Sequence, residues 1–385
     1  EQEEEEEEQE EEESDEEGLE NLKQVERIIG GRTEWSVQKI KSRSWQVKEL
    51  VDDLLQALQE RLSDTLLPVL HPAIGVGSAF QGWCPYEKDD IVYHLLVPLK
   101  PPRGHAFSLE LGETQTAAKD CRIRVHLKCA CTAHKMLCMV HSTKEQLKWK
   151  EQQAPSLLDM LCTDSYLDVE KVARWFQDLV KEAWVTLPQA HQYKMKVTSL
   201  RQRSCLLQLT SHRGRTLNFQ VMFGVQQGHS DIFFSSQTAG DTYTPSTVWT
   251  ESYAVAEGKF FSYMARQVPR GSFHLLCLYL CAHILDGTDF SPYVLKTAFM
   301  HLVNTTPVSG WSRWDVLMRL ADILSLLQRC LERRELSHFF LGNRNMPKEI
   351  NLPPHFQASQ PPNLLQHLVQ NPAAHAKAMT QLEEL

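Results

Sequence analysis

The sequence predicts an α+β protein of two lobes: a mixed α/β lobe built on a central sheet, followed by an all-helical lobe. Three observations carry this. Helical and strand periodicities are interleaved up to about residue 245. Beyond residue 250 only the three-and-four spacing of helices remains, interrupted by prolines and glycines. A 385-residue chain with 42% hydrophobic residues has enough apolar material for one large two-lobed body.

In the first lobe, Val47, Leu50, Val51, Leu54, Leu55, Leu58 and Leu62 recur at helical spacing from Trp45 to Leu62, with Asp52, Asp53, Gln56 and Glu60 on the wet side. A loop between Pro68 and Pro72 leads to a turn at Gly77-Ser78, then to a strand from Asp90 that Pro98 should close. Extended segments fill 104–141. A helix is expected at about 156–164 and a stronger one at 168–186, where Val169, Val172, Phe176, Val180 and Trp184 share a face. Strands at 194–200, 204–210 and 216–226 follow, the second and third joined at His212-Arg213-Gly214-Arg215. Helices are predicted at 250–267, 272–285, 291–304 and 312–333, and a short closing helix near 372–384 in a proline-rich, peripheral tail. The domain reading is an acidic linker at 1–30, the α/β lobe at 45–245, the helical lobe at 250–345 and an extension at 346–385.

The net charge of −9 hides an asymmetry. Residues 1–20 hold fifteen carboxylates and no Lys or Arg; without them, 34 acidic residues face 40 basic ones, a net charge of +6. A run of like charges repels itself and buries nothing, so it is expected to be a disordered, solubilising linker. No stretch approaches the eighteen or so apolar residues of a membrane span. The first residue is Glu, so the chain reads as part of a longer one, and an upstream anchor stays open.

Most of the ten cysteines sit in apolar runs, as Cys277 and Cys281 do, which is the usage of buried thiols in a reducing compartment. Cys121, His126, Cys129, Cys131, His134, Cys138 and His141 crowd into twenty-one residues. Their spacing is poor for zinc, and strand alternation would put Arg122, Arg124 and His126 on the face opposite Ile123 and Val125, so buried thiols are the preferred reading. Asn304-Thr305-Thr306 is a glycosylation triplet, inert if the body lies in the cytosol.

The order of helix, Gly77-Ser78 turn and strand Asp90-Ile91-Val92-Tyr93-His94-Leu95-Leu96-Val97-Pro98 resembles the opening of the male-abnormal-21-like family, which includes cyclic GMP-AMP synthase and has a two-lobed nucleotidyltransferase-like fold. The segment from Pro292 through Lys296 to His301, Trp311, and Leu331 through Leu341 resembles that family's helical lobe. Val51-Asp52-Asp53-Leu54-Leu55, Trp175-Phe176, His338 through Arg344 and the acidic tract are most similar to its inositol trisphosphate receptor-interacting protein-like members. The resemblance implies a membrane-associated protein, single-pass through a segment outside this chain, with its body in the cytoplasm. It also implies a protein partner, either the inositol trisphosphate receptor or the T-cell receptor complex, and a role modulating calcium signalling or receptor signalling at the cell surface.

The resemblance also locates where catalysis would occur. Nucleotidyl transfer needs two divalent cations held by converging carboxylates. The family places two acids two positions apart on one strand, so both face one way, and a third on a neighbouring strand. Here the first place is Lys88, the second Asp90 and the third Gln220, leaving one carboxylate of three. Lys88 and Asp90 either pair across the would-be metal site or are solvated at a strand edge. Gly77 and Ser78 either cradle a phosphate or form a plain turn. Lys194, Lys196, Arg213 and Arg215, with Arg201 and Arg203, form either a site for an anion or a solvated face. The expectation is a pseudoenzyme with no cofactor, no metal and no nucleic-acid partner. Its rivals are a divergent nucleotidyltransferase using Asp90 and a cleft sensor of inositol phosphates or nucleic acid.

Overall fold

A computed structural model describes residues 23, 37–84, 91–112, 119–129, 140–141, 156–198, 203–237, 244–268, 272–312 and 314–384. Of the residues singled out above, the acidic run, Lys88, Asp90, Cys131, His134, Cys138 and Arg201 lie outside the described residues.

The first helix, α1, spans Val37–Leu62 and buries Val47, Val51, Leu54, Leu55 and Leu58 along one stripe. It begins eight residues before the apolar spacing does, because its first two turns carry mostly polar side chains. Strands β1 (Val69–Leu70) and β2 (Ile74–Val76) follow, then a one-turn helix α2 (Ser78–Gln81). Next come β3 (Val92–Lys100), β4 (His105–Leu111) and β5 (Asp120–Leu127). Pro98 does not end β3, since β1 pairs beyond it through Leu70 and Leu99, and the Pro98 carbonyl accepts the His71 amide at 2.9 Å.

The helix expected at 156–164 is shorter, α3 at Leu157–Leu161, and gives way to the two-residue strands β6 (Cys162–Thr163) and β7 (Tyr166–Leu167). Asp164 and Ser165 turn between them at positive φ. Helix α4 (Val169–Trp184) starts at Asp168, whose carboxylate accepts the amides of Glu170 and Lys171 and the hydroxyls of Thr163 and Ser246. One N-cap thus ties α4 to β6 and to the chain entering the sheet's last strand.

Strands β8 (Tyr193–Thr198), β9 (Cys205–Ser211) and β10 (Thr216–Gln226) form a meander. Two further strands, β11 (Phe233–Ser235) and β12 (Val248–Ser252), complete the sheet. The first helix of the second lobe therefore begins at 254, not 250. Strand β10 is the hub: it runs parallel to β3 along one edge, and on the other its first half pairs with β9 and its last residues with β11. From β11 the order continues through β12 and β5 to β7 and β6.

Alternation on β3 and β10 sends Tyr93, Leu95, Val97, Phe219, Val221 and Phe223 into a core beneath α1 and α4. The opposite face carries His94, Leu96, Gln220 and Met222 toward the second lobe. That lobe comprises α5 (Ala254–Gln267), α6 (His274–Ile284), α7 (Pro292–Thr305) and α8 (Val316–Arg333), with α9 (Gln366–Gln370) and α10 (Pro372–Glu383) at the end. The tail is not peripheral: Ile350, Phe356, Leu365 and Leu368 are buried in the helical core, and Phe356 packs against Tyr253 with ring centroids 6.1 Å apart. A small cluster of Val76, Leu96, Met222, Phe233 and Val255 seams the lobes.

Candidate functional site

Gly77 sits between β2 and α2 at φ 81°, where a side chain is disfavoured, and a Cβ there would lie 3.6 Å from His94 Nδ1. The Gly77-Ser78 step is thus a strand-to-helix junction and not an isolated turn. Val76 pairs with His94 on β3, and His94 stands beside Gln220 on β10 in parallel register. Gly77, Ser78, His94 and Gln220 therefore share one corner of the sheet, facing the second lobe. The Gln220 amide is already engaged, donating to Ser204 Oγ at 2.7 Å.

From the other side α7 supplies Tyr293 and Lys296, and α5 supplies Glu257. Lys296 Nζ lies 2.5 Å from Glu257 Oε2, with 12% and 4% of their side chains exposed. The ammonium also sits 5.2 Å from the centre of the Tyr293 ring. Gly77, Ser78, His94, Tyr293, Ser291 and Lys296 line a cleft of about 430 Å³. Glu257 closes a smaller recess of about 180 Å³ beside it.

A buried ring network backs this ion pair. His338 Nδ1 accepts the amides of Phe340 and Leu341, so the ring proton resides on Nε2 and is donated to the Tyr293 oxygen at 3.0 Å. Burial, with His301 nearby, pushes the His338 pKa down to about 4 and keeps the ring neutral. Burial, followed by the Glu257 charge, raises the Tyr293 pKa.

The donor set does not fit a pair of divalent cations. Among the described residues no three His, Cys, Asp or Glu side chains converge as metal ligands. Two carboxylates stand here: Asp286 lines the cleft, and Glu257, in the adjoining recess, is held by an ammonium, while the third-acid position presents an amide bonded elsewhere. The sequence alone marks neither Glu257 nor His94 as a site residue, and it places Lys296 only within the stretch that resembles the family's helical lobe. The available signal was a Glu and a Lys of opposite sign, each embedded in an apolar helix face that requires a partner.

Lys194 and Lys196 lie exposed on β8, and Arg213 and Arg215 at the β9–β10 turn. They sit along the sheet's outer end and none lines the cleft. Arg203 does not belong with them. Its guanidinium is turned inward and donates to the carbonyls of Ser236 (2.9 Å), Pro245 (3.1 Å), Thr244 (3.4 Å) and Val248. Replacing Arg203 with Met is expected to cost about 2–3 kcal/mol of stability, measurable by urea denaturation, because it strips donors from several carbonyls at once. In the cysteine and histidine cluster, Cys121 points into the core, where burial pushes its thiol pKa up to about 12, while His126 is exposed on the opposite face. Cys129 Sγ and His141 Nδ1 approach to 3.6 Å. No helix among the described residues is long and apolar enough to cross a membrane.

A sheet lobe and a helical lobe meeting at a Gly-Ser junction make this a protein of two-lobed, nucleotidyltransferase-like fold. Residues 283–359, which include α7 and α8, match the Mab-21 protein HhH/H2TH-like domain. The chain is 33% identical over 353 residues to inositol 1,4,5-trisphosphate receptor-interacting protein-like 1 of Mus musculus, and 32% identical to that of Rattus norvegicus. In both, 88% of this chain aligns with 64% of the relative, so it spans just under two thirds of their length. It is 28% identical over 394 residues to the inositol 1,4,5-trisphosphate receptor-interacting protein of Homo sapiens, covering 94% of this chain and 69% of that one. The chain is thus similar to the inositol trisphosphate receptor-interacting proteins and carries a stretch that matches the Mab-21 family.

Proposed function

We propose that this chain is a non-catalytic interaction module that modulates calcium signalling by binding the inositol 1,4,5-trisphosphate receptor, tethered to a membrane by a segment outside the chain. The observation that carries the non-catalytic part is the Lys296–Glu257 pair, which fills the lobe junction with a fixed, self-neutralised charge beside an amide at the third-acid position. Lys88 in the sequence removes a further acid. A cleft built this way, lined by Asp286 as its one carboxylate among the described residues, lacks the converging negative charge that two hard cations require. The partner is supported by the names of the relatives, which describe receptor-interacting proteins.

Binding of the purified chain to purified receptor tests this reading. The module is expected to bind, and to bind equally well after Asp90→Ala or Gln220→Ala, since no catalytic step is involved. Absence of binding by a folded chain removes the receptor from the proposal.

A further inference from the structure

A second cavity, about 810 Å³, opens where the first half of α1, the 71–75 loop, the end of β3 and α5 meet, and it shares no lining residue with the cleft. Its charge is one-sided. Lys41, Lys48, Lys100 and Lys259 line it against a single carboxylate, Asp231. Lys259 pairs with Asp231 at 2.7 Å, and Lys48 with Asp52 at 2.5 Å. Lys41 and Lys100 come from different elements, and neither has a carboxylate partner among the described residues. Like charges held around a concave, low-dielectric wall concentrate a positive field. Burial, then Lys100, lowers the His71 pKa, and burial alone lowers that of Lys41.

An independent observation marks the same wall. Gln81 lines the cavity, is only 4% exposed, and its Nε2 donor has no hydrogen-bond partner among the described residues. Its Oε1 accepts from Trp83 Nε1 at 2.8 Å, which fixes the amide with its donor end unmet. Buried donors are rarely left so, and an orphan points to a missing acceptor. Phe80, Phe233 and Phe261 add an apolar stretch of wall, and Trp45, also in the lining, is exposed. The volume lies within the range of small-molecule sites.

We propose that this cavity binds a small polyphosphorylated molecule, with phosphate oxygens meeting Lys41, Lys100 and the Gln81 amide and the less polar part resting on Phe80 and Phe233. Two separated, unpaired ammonium groups and an amide donor call for several acceptor oxygens on one ligand, which phosphates supply. The phosphates belong either to a free molecule or to a lipid headgroup.

Isothermal titration of the chain separates these sources. The probes are inorganic triphosphate, ATP, and phosphatidylcholine vesicles with and without phosphatidylinositol 4,5-bisphosphate. At least one phosphate probe is expected to bind, with affinity reduced about tenfold by Lys41→Met and by Lys100→Met. Neither substitution breaks an ion pair, so thermal melts should stay unchanged; if one variant misfolds, the other still tests the site. Lys194→Glu with Lys196→Glu, on the outer sheet, should leave binding intact. Binding by soluble probes assigns a free ligand, and binding by the bisphosphate vesicles alone assigns the headgroup. The proposal is overturned if no probe binds at millimolar concentration, or if binding falls with the outer-sheet pair and not with Lys41 or Lys100.

Discussion

Replacing Lys296 with Met is expected to lower the stability of this protein by about 3–5 kcal/mol, the largest effect of any single substitution at the lobe junction. The substitution keeps an apolar stem of similar length in α7, so packing loss is small. What it leaves behind is the Glu257 carboxylate, 4% exposed and without its counter-charge. The reverse change, Glu257→Gln, should cost less, because Lys296 is 12% exposed and its long stem lets the ammonium move toward the cleft and water. Combining Lys296→Met with Glu257→Gln removes both charges and should recover much of the loss, a non-additivity that denaturant titration of the four proteins would measure directly. If the double variant were as unstable as the sum of the singles, the pair would not be coupled.

The second large effect is at Asp168. Asp168→Ala should cost about 2–4 kcal/mol, since it removes the N-cap of α4 and strands the hydroxyls of Thr163 and Ser246 as well as two amides. Burial works to raise the pKa of this carboxyl, but the bonds from Ser246, the Lys171 amide, Thr163 and the Glu170 amide outweigh it and hold the pKa below the usual value. A depressed folded pKa means that the stabilisation is complete above the unfolded carboxyl pKa of about 3.9 and is lost as pH falls through the lower folded value. Denaturation of wild type and Asp168→Asn as a function of pH should therefore give curves that converge in acid and separate at neutral pH. A constant gap across that range would contradict the assignment.

How much of this was legible in the residues depends on the range of the interaction that fixes each element. Helix α4 was readable because Val172, Phe176 and Val180 repeat every four residues, and β8, β9 and β10 because short alternating runs are separated by turn residues. Strands β11 and β12 were not. Each is only three to five residues long and exists because it pairs with the next, and Trp249 in β12 is anchored by its indole donating to the Leu167 carbonyl across 82 positions. Phe356 reads as part of a proline-broken tail, yet it is fully buried against residues a hundred positions earlier. At the cleft, the Gly77-Ser78 junction has a local signature in its positive φ. Glu257 and Lys296 each signal locally that a partner is required but not which one, for they are 39 residues apart on different helices and only the packed lobe brings them within 2.5 Å. Arg203 shows the converse: its charge reads as surface, and the fold uses it to hold the turn before β12.

The charge count at the lobe junction is tested most directly by crystals of the chain soaked with ATP and manganese, with the metal located by its anomalous signal. The account predicts no manganese pair in the cleft between Ser78, His94 and Lys296, and an intact Lys296–Glu257 contact. Two manganese ions bridging a triphosphate to Asp90, with Glu257 released from Lys296, would contradict it.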